Sequence, residues 1–268
     1  MNNARPPAVA GYFYPAGADE LTAEVQGLLA AAQTGRPARS PKALIVPHAG
    51  YVYSGPVAAT AYARLSALAA RIRRVVLLGP VHRVPVRGLA MPSITAFATP
   101  MGSIPLDTAA MSLLARLPQV TVSDAAHAQE HSLEVHLPFL QAVLGDFRLL
   151  PLAVGDATAA EVADVLEQVW GGDETLIVIS SDLSHFLDYD SAVQVDSETL
   201  QHILALQPDL VHTQACGATP VNGLLAYAGA HALEAELLDQ CNSGDTAGDR
   251  SRVVGYAAVA FYETETGR

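Results

Sequence analysis

The sequence is poor in cysteine, in lysine and in charged residues generally, and the first and last of these scarcities argue against particular classes of protein. Cys216 and Cys241 are the only cysteines, whereas an oxidised extracellular scaffold usually carries more, so a reducing cytoplasm is favoured. Charged residues make up 16% of the chain, too few for a disordered protein. Lys42 is the only lysine, which we interpret as a bias of composition and not as a site.

Membranes and nucleic acids are not expected as partners. The sequence has no apolar run long enough to span a bilayer, and its first residues lack the apolar core of a signal peptide. The formal net charge of −12 and the absence of a basic stripe disfavour binding to phosphate backbones. Phosphate-binding loops and dinucleotide-binding motifs are absent as well. We therefore expect a cytoplasmic protein that binds neither partner.

Half of the residues are hydrophobic, enough for a substantial core. Apolar runs of strand length alternate with segments of helical periodicity, and no linker or repeat divides the chain. We predict one α/β domain over residues 1–268, with a mostly parallel sheet. Predicted strands cover 43–46, 74–78, 86–91, 120–122, 148–154, 175–180, 232–239 and 253–262. Predicted helices cover 19–33, 56–70, 107–117, 158–170, 190–206 and 220–230, with another ending near 144. An aromatic-rich arm over 1–17 and a loop over 35–41 complete the assignment.

Two apolar strands end in the same way, with a chain break followed by a histidine. Pro47 and His48 follow the first strand, and Gly79-Pro80-Val81-His82 follows the second. Proline cannot donate to a strand ladder, so both strands are expected to end there. Open α/β sheets bind ligands at the carboxyl ends of their strands. We therefore expect the imidazoles on two neighbouring strands to converge as metal ligands or as an acid–base pair. The alternative is two structural histidines.

A third buried strand, 175–180, leads into Ser181-Asp182-Leu183-Ser184-His185. A spacing of three residues brings Asp182 and His185 together on the first turn of a helix, and Ser181 or Asp182 is then an alternative N-cap. His185 is the candidate general base. A serine nucleophile is disfavoured because no Gly-x-Ser-x-Gly elbow surrounds it.

Cysteine offers a third kind of ligand. Cys216 precedes Gly217 in a loop of small residues, and its thiolate could complete a metal site with two histidines. The alternative is a small buried hydrophobic residue. Cys241 is expected in a flexible polar loop over 241–251, as a plain surface or structural thiol.

The segment 127–136 is dense in histidine and glutamate but lacks the His-Glu-x-x-His pattern of zinc peptidases. Two interpretations remain open. Glu130, His131 and Glu134 belong either to a solvated polar start of a helix or to a group that orients metal ligands and lines the pocket.

Five motifs in order resemble the Memo family, whose bacterial and archaeal members are the Memo-like (B) component of the AmmeMemoRadiSam system. These motifs are Pro47–Tyr51, Leu78–His82, Glu130–Phe139, Ser180–His185 and Cys216-Gly217. The family is similar in fold to class III extradiol dioxygenases, which implies a three-layer α/β/α sandwich around a central, mostly parallel sheet. Small-molecule substrates of unknown identity and partner proteins of that system are also implied.

The resemblance further implies residue roles. It puts the metal ligands at His48, His82 and Cys216, with Asp182 and His185 as the catalytic pair beside them. Iron(II) is favoured, and copper or zinc are alternatives because the third ligand is a thiolate where the dioxygenases have a carboxylate. Beside these implied roles, the residues that we expect around the ligands or in the pocket wall are Glu130, His131, Glu134 and Tyr51.

Two departures from eukaryotic Memo sequences concern the pocket wall. Arg83 stands where those members have a second histidine, and Ala218-Thr219-Pro220 follows Cys216-Gly217 in place of Arg-His-Pro. Three hypotheses result. The first is a metal-dependent oxidoreductase in which His185 moves a proton and Asp182 orients it. The second is a metal-binding or redox partner protein without turnover, and the third is a metal- or cysteine-dependent hydrolase.

Overall fold

The fold is organised by a central sheet whose inner strands run parallel. A computed structural model describes residues 4–32 and 39–264. In chain order the strands are β1 (Ala4–Arg5), β2 (Ala43–Val46), β3 (Arg74–Pro80), β4 (Leu89–Met91), β5 (Ala96–Thr99), β6 (Gly102–Pro105), β7 (Val120–Val122), β8 (Arg148–Val154), β9 (Thr175–Ser180), β10 (His185–Leu187), β11 (Glu234–Asn242) and β12 (Val253–Tyr262). The helices are α1 (Ala18–Ala32), α2 (Tyr51–Ala63), α3 (Thr108–Leu114), α4 (Asp124–Ala128), α5 (Leu137–Val143), α6 (Ala159–Val169), α7 (Tyr189–Leu204), α8 (Ala218–Ala230) and α9 (Ser243–Thr246).

The strand order brings three of the predicted strand ends to one edge. The large sheet has the order β10-β12-β2-β9-β3-β8-β4-β7, with β11 beside β12, and β1, β5 and β6 form a small separate sheet. Strands β2, β9, β3 and β8 are parallel. Ile45 of β2 and Leu78 of β3 both lie opposite Ile179 of β9. The carboxyl ends of these three strands are therefore level.

Helices cover both faces of the sheet and enclose two apolar cores. Successive residues of β2 alternate between them: Leu44 packs in one core and Ile45 in the other. Helices α1, α2 and α5 bury their apolar residues in the first core, and α3, α6, α7 and α8 in the second. This alternation explains why the inner strands are continuous apolar runs. The arrangement confirms the predicted α/β fold class with a central, mostly parallel sheet.

None of the helices within 4–32 and 39–264 combines the length and the apolar character needed to cross a lipid bilayer.

Two predicted boundaries around the first two strands are wrong. Helix α2 begins at Tyr51, before Pro56 and not at it. It can start early because the Tyr51 N–H donates to the Phe13 carbonyl at 2.8 Å, a tertiary contact that supplies an acceptor for a free first-turn donor. Strand β3 continues through Gly79 and Pro80, which pair with β8 alone. The pairing of β3 with β9 ends at Leu78. Pro80, which has no N–H to donate, is therefore not required to bond to a second strand.

The prediction that the strands before His48 and His82 are neighbours is also wrong, because β9 lies between β2 and β3.

Cys241 does not lie in a flexible loop. It belongs to β11, opposite Tyr256 of β12, because β12 is long enough to extend the pairing through Asn242. The polar residues that follow form α9, where the Asn242 side chain accepts from the Gly244 N–H at 2.9 Å and Asp245 completes a capping box. The predicted loop over 35–41 falls largely on 33–38, outside the described residues.

Lys42 has a structural use at the opposite edge of the sheet. Its buried Nζ donates to the carbonyls of Trp170, Gly172 and Thr175 at 2.8, 2.6 and 2.8 Å. An ammonium group has three donors, so the turn between α6 and β9 satisfies all of them.

The N-terminal segment is held by the buried carboxylate of Glu134. This carboxylate accepts from Arg5 Nη1 at 2.6 Å, from the Ala8 and Val9 N–H groups at 2.8 and 3.0 Å, and from the Tyr14 hydroxyl at 2.5 Å. Arg5 is also buried, and it donates to the carbonyls of His127 and Glu130. The ion pair therefore joins the chain start to the segment 127–136.

We expect Glu134→Gln to lower the free energy of unfolding by about 3–5 kcal/mol, since it leaves the Arg5 charge buried without its partner. The measurement is urea unfolding followed by circular dichroism. Arg71→Gln is the matched control, because the Arg71–Asp173 ion pair is half exposed and should contribute less than about 1 kcal/mol. Equal effects of the two substitutions would contradict this account of Glu134.

Candidate metal centre

Two histidines meet at the carboxyl edge of the sheet although their strands are not adjacent. His48 follows β2 and His82 follows β3, and their ring centroids are 5.3 Å apart with the planes at 69°. The rings reach across the end of β9, which carries only the small side chain of Ser180 at that level. The expectation that the two imidazoles converge is thus met in the structure.

A third imidazole completes the cluster. His131 lies with its ring centroid 5.4 Å from that of His48 and 4.6 Å from that of His82. One ring nitrogen from each of the three histidines lies within 4.8 Å of the others. We refer to His48, His82 and His131 as the histidine cluster. Imidazole nitrogens this close together can bind one divalent metal ion.

The segment that carries His131 is neither solvated nor a continuous helix. It consists of the end of α4, a loop and a 3₁₀ turn over Glu134–His136, so the interpretation as a solvated polar start of a helix does not apply. Glu130 explains the loop. Its buried carboxylate accepts from the N–H groups of His82, His131 and Ser132 at 2.6, 2.9 and 3.0 Å, and these bonds replace those that a helix would provide.

Glu130 also orients two rings of the histidine cluster. The Nδ1 of His82 donates to Glu130 Oε1 at 2.8 Å, and the Nδ1 of His131 lies 3.2 Å from the same oxygen. Burial by itself would raise the pKa of this carboxyl, but the hydrogen bonds from His131 and His82 bring the pKa well below its usual range. The ionised carboxylate accepts the hydrogen bond from the Nδ1–H of His82, and this tautomer leaves the Nε2 of His82 free for a ligand.

His48 is buried and held on both sides. Its N–H donates to Asp182 Oδ1 at 2.7 Å, and its Nδ1 lies 2.6 Å from Ser180 Oγ. Burial lowers the pKa of His48 well below its usual value, and the neighbouring His131 and His82 lower it further. The ring is therefore neutral, the form that binds metals. Burial raises the pKa of Asp182, against the effect of the His48 N–H bond.

Cys216 lies beside the cluster, immediately before α8. Its Sγ is 3.4 Å from His48 Nε2 and accepts from the Asp182 N–H at 3.3 Å. Gly217 allows this approach, since a Cβ there would be 2.5 Å from the Ser180 carbonyl oxygen. Burial and the Asp182 carboxylate raise the pKa of the Cys216 thiol to about 12. Thiolate formation would therefore have to accompany metal binding.

His185 lies at the start of a strand and not on a helix. The residues after β9 do not form the predicted helical turn, and His185 begins β10, paired with β12. The N-cap of α7 is Asp188, so neither Ser181 nor Asp182 caps a helix. The Nδ1 of His185 donates to the Leu183 carbonyl at 2.9 Å, which leaves Nε2 as the basic nitrogen. Its orienting partner is thus a carbonyl, while Asp182 contacts His48.

Glu134 and Tyr51 lie behind the cluster. Glu134 binds the N-terminal segment, as described above, and the Tyr51 hydroxyl donates to the Val135 carbonyl at 2.7 Å. Both contacts brace the segment that carries His131. Phe13 of the N-terminal segment packs on the His131 ring with centroids 4.9 Å apart, so the two residues act on the cluster through the parts of the chain they position.

Ser180, His136 and His212 are not among the residues predicted from the sequence. Ser180 is a polar residue at the end of an otherwise apolar strand, and this signal could have identified it. His136 is fully buried behind Ser180, and His212 lines the adjoining cavity with His82, Arg83 and Cys216. The local sequences around His136 and His212 carry no sign of a place at the site, because long-range packing determines where these two side chains lie.

The available donors fit a divalent metal ion. Imidazole suits iron, copper and zinc, and a thiolate favours the softer of these. In a tetrahedral zinc site, a nitrogen and a sulfur ligand lie about 3.6 Å apart, close to the His48–Cys216 separation of 3.4 Å. His82 and Cys216 both line a cavity of about 550 Å³, so this cavity adjoins the histidine cluster.

The fold and this cluster define an α/β protein with a histidine-rich site suited to metal at the carboxyl edge of its sheet. A family model described as Memo-like protein matches residues 5–260. MEMO1 family proteins of Ignicoccus hospitalis and Methanopyrus kandleri are each 38% identical to this chain, over 96% of its length and 98% of theirs. The MEMO1 family protein of Aquifex aeolicus is 35% identical, with the same coverage. The chain belongs to the Memo-like family.

A solved structure has a similar fold. It is that of an uncharacterized protein from Escherichia coli K12, with 16% sequence identity and a TM-score of 0.50, and the match covers 82% of this chain and 99% of that one.

The buried His127 predicts a pH dependence of stability. Its Nε2 donates to the Ala90 carbonyl at 2.9 Å, and burial lowers the pKa of His127 to about 4. The unfolded chain, with a pKa of about 6.5, takes up this proton first, so stability is lost as the pH falls from about 6.5 to 4, by about 1.4 kcal/mol per pH unit. The free energy of unfolding, measured with urea at several pH values, should depend on pH less steeply in His127→Gln, by the equivalent of about one proton. Identical slopes in the two proteins would refute the assignment.

Proposed function

We propose that this protein is a metal-dependent oxidoreductase of the class III extradiol dioxygenase-like type. The observation that supports it most directly is the histidine cluster, with three ring nitrogens within 4.8 Å of one another. His48 and His82 are the proposed ligands common to every arrangement. Cys216 is the proposed third ligand, and His131 is close enough to take part. Iron(II) is the favoured ion, with copper or zinc as alternatives.

A divalent ion at this site would supply a Lewis acid and, if redox-active, a place for oxygen to be reduced. The residues of the chain have separate tasks. Asp182 holds the backbone of His48, and Glu130 holds the rings of His82 and His131. His185, with its Nδ1 proton committed to the Leu183 carbonyl, is proposed to accept a proton from a substrate hydroxyl through Nε2.

The cavity that adjoins the cluster is the proposed substrate site. Its volume of about 550 Å³ is that of a small-molecule pocket. His82 and Cys216 lie in its wall together with the apolar side chains of Val84 and Val154. A small organic molecule could therefore contact the proposed metal ligands while its apolar part packs against the valines.

One observation favours a second candidate, a metal-binding protein without turnover. Cys216, the proposed third ligand, is a thiol, whereas the dioxygenases bind their metal through a carboxylate, and a thiol ligand holds soft metals more tightly. The third hypothesis is a metal- or cysteine-dependent hydrolase. Its cysteine-dependent form has less support, because a thiol with a pKa of about 12 contains little of the nucleophilic thiolate at neutral pH.

Metal content tests the proposed site. Protein purified without a polyhistidine tag should bind close to one equivalent of iron or zinc, and His48→Ala should lose at least tenfold in affinity because a buried ligand is removed. His231→Ala is the matched control, since His231 pairs with Glu167 on the surface. Metal content is measured by mass spectrometry. Equal metal content in the wild type, in His48→Ala and in His231→Ala would exclude the site.

Oxygen consumption separates the two candidates. A panel of catechols and other small hydroxylated compounds is offered to the iron-loaded protein under air. Turnover that falls about 10²-fold or more in His185→Gln, with metal content unchanged, is expected for loss of a general base. Turnover that is unaffected by this substitution would contradict the role of His185, and a metal-loaded protein that consumes no oxygen with any compound would favour the binding protein.

A further inference from the structure

A buried serine lies behind the histidine cluster at the meeting point of three polar groups. Ser180 Oγ is 2.6 Å from His48 Nδ1, 2.8 Å from His136 Nε2 and 2.6 Å from the Ser132 carbonyl oxygen. Ser180 and Ser132 are fully buried, and His48 and His136 are nearly so. Water therefore cannot substitute for any of these bonds, and each contact must be satisfied by the protein groups themselves.

Counting protons leaves one arrangement that satisfies all three contacts. A carbonyl oxygen only accepts, so the single hydroxyl proton of Ser180 goes to Ser132. The two remaining contacts of Ser180 Oγ must then be accepted ones. His48 has to carry its proton on Nδ1, and His136 has to carry its proton on Nε2.

The chain of hydrogen bonds continues to Tyr62 and agrees with this assignment. With its proton on Nε2, His136 presents a lone pair at Nδ1, and the buried Tyr62 hydroxyl lies 2.8 Å from that atom. A phenol hydroxyl can donate there. From Tyr62 through His136 and Ser180 to Ser132, every proton then has a defined acceptor.

The local fold brings these groups together. Ser180 is the last residue of β9 and lies opposite Val46 of β2. It therefore lies beside the point where β2 ends and the chain continues through Pro47 to His48. Gly79 of β3 leaves the space, because a Cβ at that position would be 2.9 Å from Ser132 Oγ and 3.1 Å from Ser180 Cβ.

We infer that Ser180, His136 and Tyr62 form a positioning relay that holds His48 in the tautomer protonated on Nδ1 and so presents its Nε2 lone pair to a metal ion. This deepens the proposed function and rests on it where metal affinity is concerned. The tautomer itself does not depend on any metal. Nε2 is the atom that faces Cys216 Sγ at 3.4 Å, whereas free neutral histidine in water favours protonation of Nε2, the form that cannot bind metal through that atom.

Nitrogen NMR of the metal-free protein, labelled with ¹⁵N in its histidine rings, tests the tautomer directly. At pH 7.5 we expect a protonated Nδ1 and an unprotonated Nε2 for His48, and the reverse for His136. In Ser180→Ala the preference of His48 should be lost, and in Ser180→Thr, which keeps the hydroxyl, it should be restored. A wild-type His48 protonated on Nε2 would overturn the inference.

Zinc affinity, measured by competition with a chromophoric chelator, gives a second readout. Loss of a partner that orients a metal-binding histidine typically lowers affinity 10–100-fold, and we expect this range for Ser180→Ala. Tyr62→Phe keeps the buried ring and removes only the last donor, so a folded variant with a several-fold loss is expected. Thr199→Val is the control, because it deletes a buried hydroxyl on α7 that bonds only to the Val195 carbonyl.

The two proposals can fail separately. Unchanged zinc affinity in folded Ser180→Ala and Tyr62→Phe would overturn the relay while leaving the metal site intact. A wild-type protein that binds no zinc or iron, yet shows His48 protonated on Nδ1, would reject the proposed function and support the relay.

Discussion

The parallel pairing of β2 and β3 on the two sides of β9 is the constraint on which the site depends. Because Ile45 and Leu78 lie opposite the same residue of β9, the two strands approach the carboxyl edge of the sheet in step, and the histidines that follow them meet. A shift of one strand by a single residue would turn its side chains to the other face and separate the rings. The two apolar cores that hold this register are thus part of the functional architecture.

Buried acceptors then convert this meeting point into a rigid polar site. Glu130 holds the loops of His82 and His131, Asp182 holds His48, and Glu134 holds the N-terminal segment against the same loop. Each carboxylate is satisfied by backbone N–H groups or by a charged partner, which is the condition for keeping such groups inside a protein. The site is therefore built from interactions that also stabilise the fold, and its rings have little freedom to reorient.

The fold class and the strand ends could be predicted from local patterns, while the polar loops could not. Apolar runs identify β2, β3 and β9 because strands buried on both faces need such runs, and Pro47 marks the end of β2. A helix start was one of two interpretations of the segment around His131, yet the bonds that Glu130 accepts from distant and local N–H groups replace a helix. His185 was expected on a helix for a similar reason, and its pairing with β12 makes it part of a strand instead.

The sequence alone determined that His48, His82 and the 182–185 region follow strands of a parallel sheet, because side-chain periodicity and proline act locally. Only the tertiary structure decided that β9 lies between the two histidine-bearing strands, that His131 joins them, and that Ser180 contacts His136. The contacts of Ser180 with His136, Ser132 and His48 connect residues that are 44, 48 and 132 positions apart in the chain, and no local pattern encodes such distances. They follow from the packing of complete elements, which settles the contacts of each buried polar group.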